Sequence, residues 1–144
     1  MTMISALRVL AVIAGFFTAV SVMADEPDVK EIMESLRDDL VEISDGLLTE
    51  DAERVSLAGA RIANHAPVPK RERGIIAKEL GSEMGKFKQF DELVHELSKS
   101  IEQAAKSEDF ARMQTHYKEI VSACLECHTA YRERVSASLD AAGR

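Results

Sequence analysis

From Val29 onward, apolar residues return at a helical interval: Val29, Met33, Leu36, Leu40, Ile43 and Leu47 are spaced alternately four and three apart. Such spacing predicts a long amphipathic helix that buries one narrow stripe. Pro27 suits its first turn, Glu26 and Asp28 complement the positive end of its dipole, and Gly46 lies near its close. Thr49, followed by Glu50 and Asp51, predicts the next helix start, and Ala52, Val55, Gly59, Ile62 and Ala66 continue the stripe. Pro67 and Pro69 end this second helix, because each proline pushes the residue before it out of helical geometry.

Between Pro67 and Gly85 the rhythm is lost. Lys70, Arg71 and Arg73 form a small basic cluster, Gly74, Gly81 and Gly85 punctuate the stretch, and Ile75 to Leu80 suits one or two helical turns, so a long connection is expected. Phe87, Phe90, Val94, Leu97, Ile101 and Ala104 restore the rhythm for a third helix. Ser107, with Glu108 and Asp109, caps a fourth, whose stripe is Phe110, Met113, Tyr117, Ile120, Cys124, Cys127, Tyr131 and Val135. Residues Ala137 to Arg144 are expected to fray. No segment alternates as a strand does, and the expected fold is all-α, an antiparallel up-down-up-down four-helix bundle.

The amino terminus has a different character. Met1 to Ala24 carries no acidic residue, one early Arg8, an apolar run from Val9 to Val20, and Val22-Met23-Ala24 at its end. Small residues in those places read as a signal-peptidase site, which makes 1–24 a signal peptide and 25–144 a single mature domain of about 120 residues. The alternative is an uncleaved anchor, since the run is only slightly short of a membrane span. Dropping Arg8 from the 18 Lys and Arg leaves 17 against 25 Asp and Glu, a net of −8. A surface of that sign argues against nucleic acid and, once the signal is removed, against an anionic membrane, and it suits a basic redox partner.

The stretch that carries chemistry is Cys124-Leu125-Glu126-Cys127-His128, followed by Tyr131 and Arg132. Cys-x-x-Cys-His is the attachment signature of haem c: two thiols add across the vinyl groups, and the histidine binds iron as proximal axial ligand. On a helix the three side chains leave one face, as a flat macrocycle held at two edge positions requires. A thioredoxin-like redox pair would need a βαβ context, and a structural zinc site would need further cysteines, which the chain lacks. With both thiols taken by one covalent haem, no disulfide is expected, and an exported haem-c protein belongs in the periplasm.

The chain resembles the class II c-type cytochromes, the cytochrome c′ family. In these four-helix bundles the haem motif lies near the carboxyl end of the last helix, as Cys-x-x-Cys-His-x-x-Tyr/Phe-Arg, which Cys124 to Arg132 matches throughout. Met33, Leu36 and Ile43 fall where the family has its distal-side residues. The resemblance to the low-spin members implies Met33 as distal axial ligand. In a bundle with alternating helices, His128 and Met33 would differ in height by under about 10 Å, whereas Met113 would lie roughly 22 Å along the axis from His128. The family also implies Arg132 near a haem propionate and Tyr131 against the ring, with Lys30 as a weaker propionate candidate. A homodimer through the first two helices is implied by analogy.

Histidine and methionine ligation leaves no open iron position and raises the potential, which suits one-electron transfer. The expected function is a periplasmic electron carrier serving other redox proteins, with no catalytic residues and no enzymatic activity. The alternative is a five-coordinate cytochrome c′-type protein that binds nitric oxide or carbon monoxide.

Overall fold

The computed structural model describes residues 26–143, and the signal-peptide reading of 1–24 lies outside the described residues. The described chain is all helical: α1 (Val29–Leu48), α2 (Ala52–Ala63), α3 (Lys70–Leu80), a 3-10 turn (Gly81–Glu83), α4 (Met84–Lys106) and α5 (Phe110–Ala141). No helix among the described residues is long and apolar enough to cross a membrane.

Aspartates start three of the helices. Asp28 caps α1 in a reciprocal box with Glu31, each side chain accepting the other's backbone N–H at 2.8 and 2.9 Å. Asp51 and Asp109 cap α2 and α5 by accepting from the N–H of Arg54 and Arg112. Pro27 therefore lies outside α1, and Thr49 and Ser107, expected as helix starts, instead close the preceding helices. Each places its hydroxyl on a last-turn carbonyl, Asp45 for Thr49 and Ala104 for Ser107. Both connections pass through one left-handed residue, Glu50 at φ 55° and Glu108 at φ 54°.

Neighbouring helices run in opposite senses where side chains mark the register. Asp39, only 7 % exposed, accepts from Arg61 Nε at 2.5 Å, while Glu42 accepts from Arg54 at 2.6 Å, so α1 and α2 are antiparallel. Gly46 and Gly59 make close packing possible. A Cβ on Gly46 would stand 2.8 Å from a Val55 methyl, and one on Gly59 would stand 2.9 Å from an Ile101 methyl and 3.2 Å from the Ser98 carbonyl. The main core fills the space so defined with Ile43, Val55, Ala58, Ile62, Ile101, Ala104, Met113 and Ile120. Each fully buried isoleucine there contributes about 1.5–3 kcal/mol. Ser98 is also fully buried, and its hydroxyl has no partner.

Two expectations are corrected here. The stretch after Pro69 is a helix of 11 residues, not an irregular connection, and Met84 begins α4. Ile76 and Leu80 of α3 pack with Tyr131, Val135 and Leu139 of α5 in a second cluster. That packing also prevents fraying of the carboxyl end: α5 continues to Ala141 with Leu139 3 % exposed, and Arg71 donates to the carbonyls of Ala142 and Gly143. α1 joins this end through Val29, which packs on the same cluster, but it meets α5 only sparsely along its length.

Candidate functional site

Cys124 and Cys127 stand mid-way along α5, both half-buried and both free thiols. Cys124 packs against the main core and Cys127 against the second cluster, so the pair occupies the inward stripe where the two meet. Burial, then the neighbouring Cys124 and Asp91 charges, pushes the Cys127 thiol up to about 11, and burial raises Cys124 as well. Reactive redox pairs sit at helix amino termini with lowered values, so these thiols are the opposite of a thiol–disulfide exchange centre.

His128 is exposed beside them. What shielding it has, followed by the Arg132 charge, lowers its basicity and keeps the imidazole lone pair available to a metal. Its direction follows from helical phase. Phe110, Gln114 and Tyr117 of α5 share a cavity of about 500 Å³ with Ser44 and Leu47 of α1, so that side of α5 faces α1. His128 follows Phe110 by eighteen residues, a whole number of turns, and therefore lies on the α1-facing side.

Met33 faces the same seam from α1. It precedes Ser44 by eleven residues, about three turns. The sequence stripe placed Met33 in the core. Instead Ile32 takes the buried position at 3 % exposure, and Met33 lies at the seam's edge, 40 % exposed. Met33 comes four residues after Val29 and His128 three before Tyr131, so both lie about one turn in from the end where Val29 reaches the Tyr131 cluster.

The remaining candidates separate. Tyr131, 3 % exposed, meets Phe87 and Phe90 edge-on at ring separations of 5.5 and 6.3 Å, forming the wall beside Cys127. Arg132 is exposed next to His128 along the helix. Lys30 points away to the surface and pairs with Glu34 at 3.8 Å.

Sequence reasoning missed one cluster. His65, just past the end of α2, and Asp91 and His95 of α4 bring their ligand atoms within 4.8 Å of one another. Asp91-x-x-x-His95 is one turn of helix and was legible, but His65 joins it only through the packing of α2 on α4.

The donor set fits a covalent haem c. Two thiols share an edge of α5, an imidazole of lowered basicity follows one position on, and α5 meets α1 far more sparsely than it meets α4. Comparison with known proteins adds nothing to this: no protein-family profile, no curated protein and no solved structure matches the chain.

Proposed function

We propose that this chain is a periplasmic class II c-type cytochrome that carries single electrons, with one haem c bound through Cys124 and Cys127. The observation that supports it best is the convergence just described. Cys124 and Cys127 lie in the inward stripe of α5, and by helical phase His128 shares the side of Phe110 and Met33 the side of Ser44, which line one cavity between α1 and α5. The antiparallel pairing of α1 with α2 and the short turn between α4 and α5 support the up-down-up-down order of that family, with α3 as an addition.

Bound there, haem would supply a one-electron ferric–ferrous couple. The protein's part is to hold and shield it. His128 would hold the iron through an imidazole nitrogen whose basicity is lowered, and Met33 of α1 would supply a thioether. Tyr131, fixed by Phe87 and Phe90, excludes water from the Cys127 edge. Arg132 is the cation placed to neutralise a propionate, while Lys30 is engaged with Glu34. The proposal assigns no catalytic residue. Its partners are periplasmic redox proteins, and exposed Val41, Leu48 and Leu57 on α1 and α2 are the apolar side chains that a homodimer would cover.

The exposure of Met33 favours a second reading on one point. A thioether outside the core has few contacts to lose, so nitric oxide or carbon monoxide would displace it readily, which brings the site close to the five-coordinate, gas-binding case. Absorption spectra of the exported protein decide between the two. Electron transfer predicts a low-spin spectrum with a methionine-to-iron charge-transfer band, which Met33→Ala abolishes in favour of a high-spin, carbon monoxide-binding form. A high-spin wild type that takes carbon monoxide at once supports the gas-binding reading. Colourless protein with two free thiols overturns both.

A further inference from the structure

His65 and His95 stack on one another with ring centroids 4.7 Å apart, and each has its Nδ1 2.8 Å from a backbone carbonyl, of Ala66 and Ala63 respectively. A carbonyl only accepts, so both Nδ1 atoms carry the proton and donate. That leaves both Nε2 atoms turned to one carboxylate: His65 Nε2 is 3.5 Å from one Asp91 oxygen and His95 Nε2 is 3.7 Å from the other. With neutral rings, two lone pairs and an anion then converge with no donor among them, an arrangement that demands a cation.

A proton on His65, whose basicity Asp91 raises, would meet part of that demand, and the two separations bear on whether a metal ion meets the rest. Both exceed the usual hydrogen-bond range of about 2.7–3.2 Å. They approach the spacing of about 3.3–3.5 Å between two ligands of a tetrahedral ion. The two contacts reach different oxygens of Asp91; with one atom from each residue the three lie within 4.8 Å, so an ion would draw them together. The outer contacts are also those of a metal site, since a ligating histidine characteristically donates its other N–H to a carbonyl or carboxylate. Side-chain exposure grades from 12 % at His65 through 27 % at His95 to 56 % at Asp91, so the ligands are anchored on the protein side and open on the solvent side.

We propose that His65, Asp91 and His95 form a second metal site, one that takes a divalent transition-metal ion of the zinc or copper class. Two imidazoles and a carboxylate suit those ions, and three protein ligands leave a fourth position for water. The site clamps the end of α2 to α4. It goes beyond the electron-carrier reading and stands whether or not that reading does, because none of its ligands belongs to the Cys124–His128 group.

The test is calorimetric titration of full-length exported protein, purified without a histidine tag and treated with chelator, with zinc chloride at neutral pH. One ion per chain should bind at low-micromolar affinity or tighter. His65→Ala and His95→Ala should each weaken it at least tenfold to a hundredfold, the scale reached by losing even an outer-shell partner. Asp91→Asn, at an exposed side chain, should do likewise without disturbing packing, and His116→Ala should change nothing. With copper(II) as probe, the electron paramagnetic resonance spectrum should show two nitrogen ligands in the wild type and one in either histidine variant. Absence of binding to the wild type overturns the site, as does binding that survives both Asp91→Asn and His95→Ala.

Discussion

The carboxylate of Glu72, only 5 % exposed, accepts the backbone N–H of Val29 at 2.8 Å. An acid of α3 thereby satisfies one of the free donors at the amino end of α1 and adds negative charge where the helix dipole favours it. Glu72→Ala should cost about 1.5–3 kcal/mol, the range for a hydrogen bond to a charged group. Glu72→Gln, which can still accept, should cost less. Chemical denaturation of the three proteins checks the order, and equal stabilities for Ala and wild type would refute it.

Two glycines should respond to alanine with opposite sign. At Gly59 the new methyl would meet Ile101 at 2.9 Å and the Ser98 backbone at 3.2 Å, forcing α2 and α4 apart. A cost of about 1–3 kcal/mol is expected for such overpacking. At Gly74, in the middle of α3, nothing lies within 4 Å, so only helix propensity changes. Gly74→Ala should stabilise by up to about 1 kcal/mol. Thermal melts of both variants measure the contrast.

Thr49-Glu50-Asp51 and Ser107-Glu108-Asp109 are the same turn used twice: a hydroxyl closes one helix, a glutamate reverses the chain at positive φ, and an aspartate opens the next. The left-handed conformation costs an ordinary residue about 1–2 kcal/mol. Glu50→Gly and Glu108→Gly should therefore stabilise the protein, by about 0.5–1 kcal/mol each after the greater freedom of glycine in the unfolded chain is deducted. Denaturant unfolding of each single variant checks the gain; the turns border one cavity through Leu48 and Phe110, so coupling is expected in the double variant.

The long helices were legible because their stripes repeat over many turns, as from Val94 to Ala104 and from Phe110 to Val135. α3 was hidden for a physical reason. Its charged Lys70-Arg71-Glu72-Arg73 start and central Gly74 blur the apolar period, and Glu72 is buried for a tertiary partner, Val29, that no local pattern names. Met33 was assigned one position off the true stripe because Ile32, its neighbour, serves as well in a three–four count. Cys124, Cys127 and His128 are legible as a motif because all three lie within five consecutive residues. The His65 cluster could not, since its parts lie far apart in the chain and meet only when α2 and α4 pack.

Acid should weaken the α1–α2 pairing in a defined way. The hydrogen bond from Arg54 holds the Glu42 carboxyl below its ordinary value of 4.5, and Asp45 shares the same guanidinium. A group whose folded value is depressed stabilises fully above its unfolded value and loses that contribution as pH falls through the folded one. The stability gap between wild type and Arg54→Gln should be constant near neutrality, close as pH drops below 4.5, and shrink with added salt. A gap that persists unchanged in acid would show that Arg54 acts through its aliphatic stem.

Gly46 and Gly59 lie on opposite contacts of α2, one toward α1 and one toward α4. Three helices are thereby locked into a spine whose spacing is set by the absence of two methyl groups, while α5 is held mainly by α4 and meets α1 only sparsely. A change of spacing at either glycine is therefore handed on through α2 to the third helix.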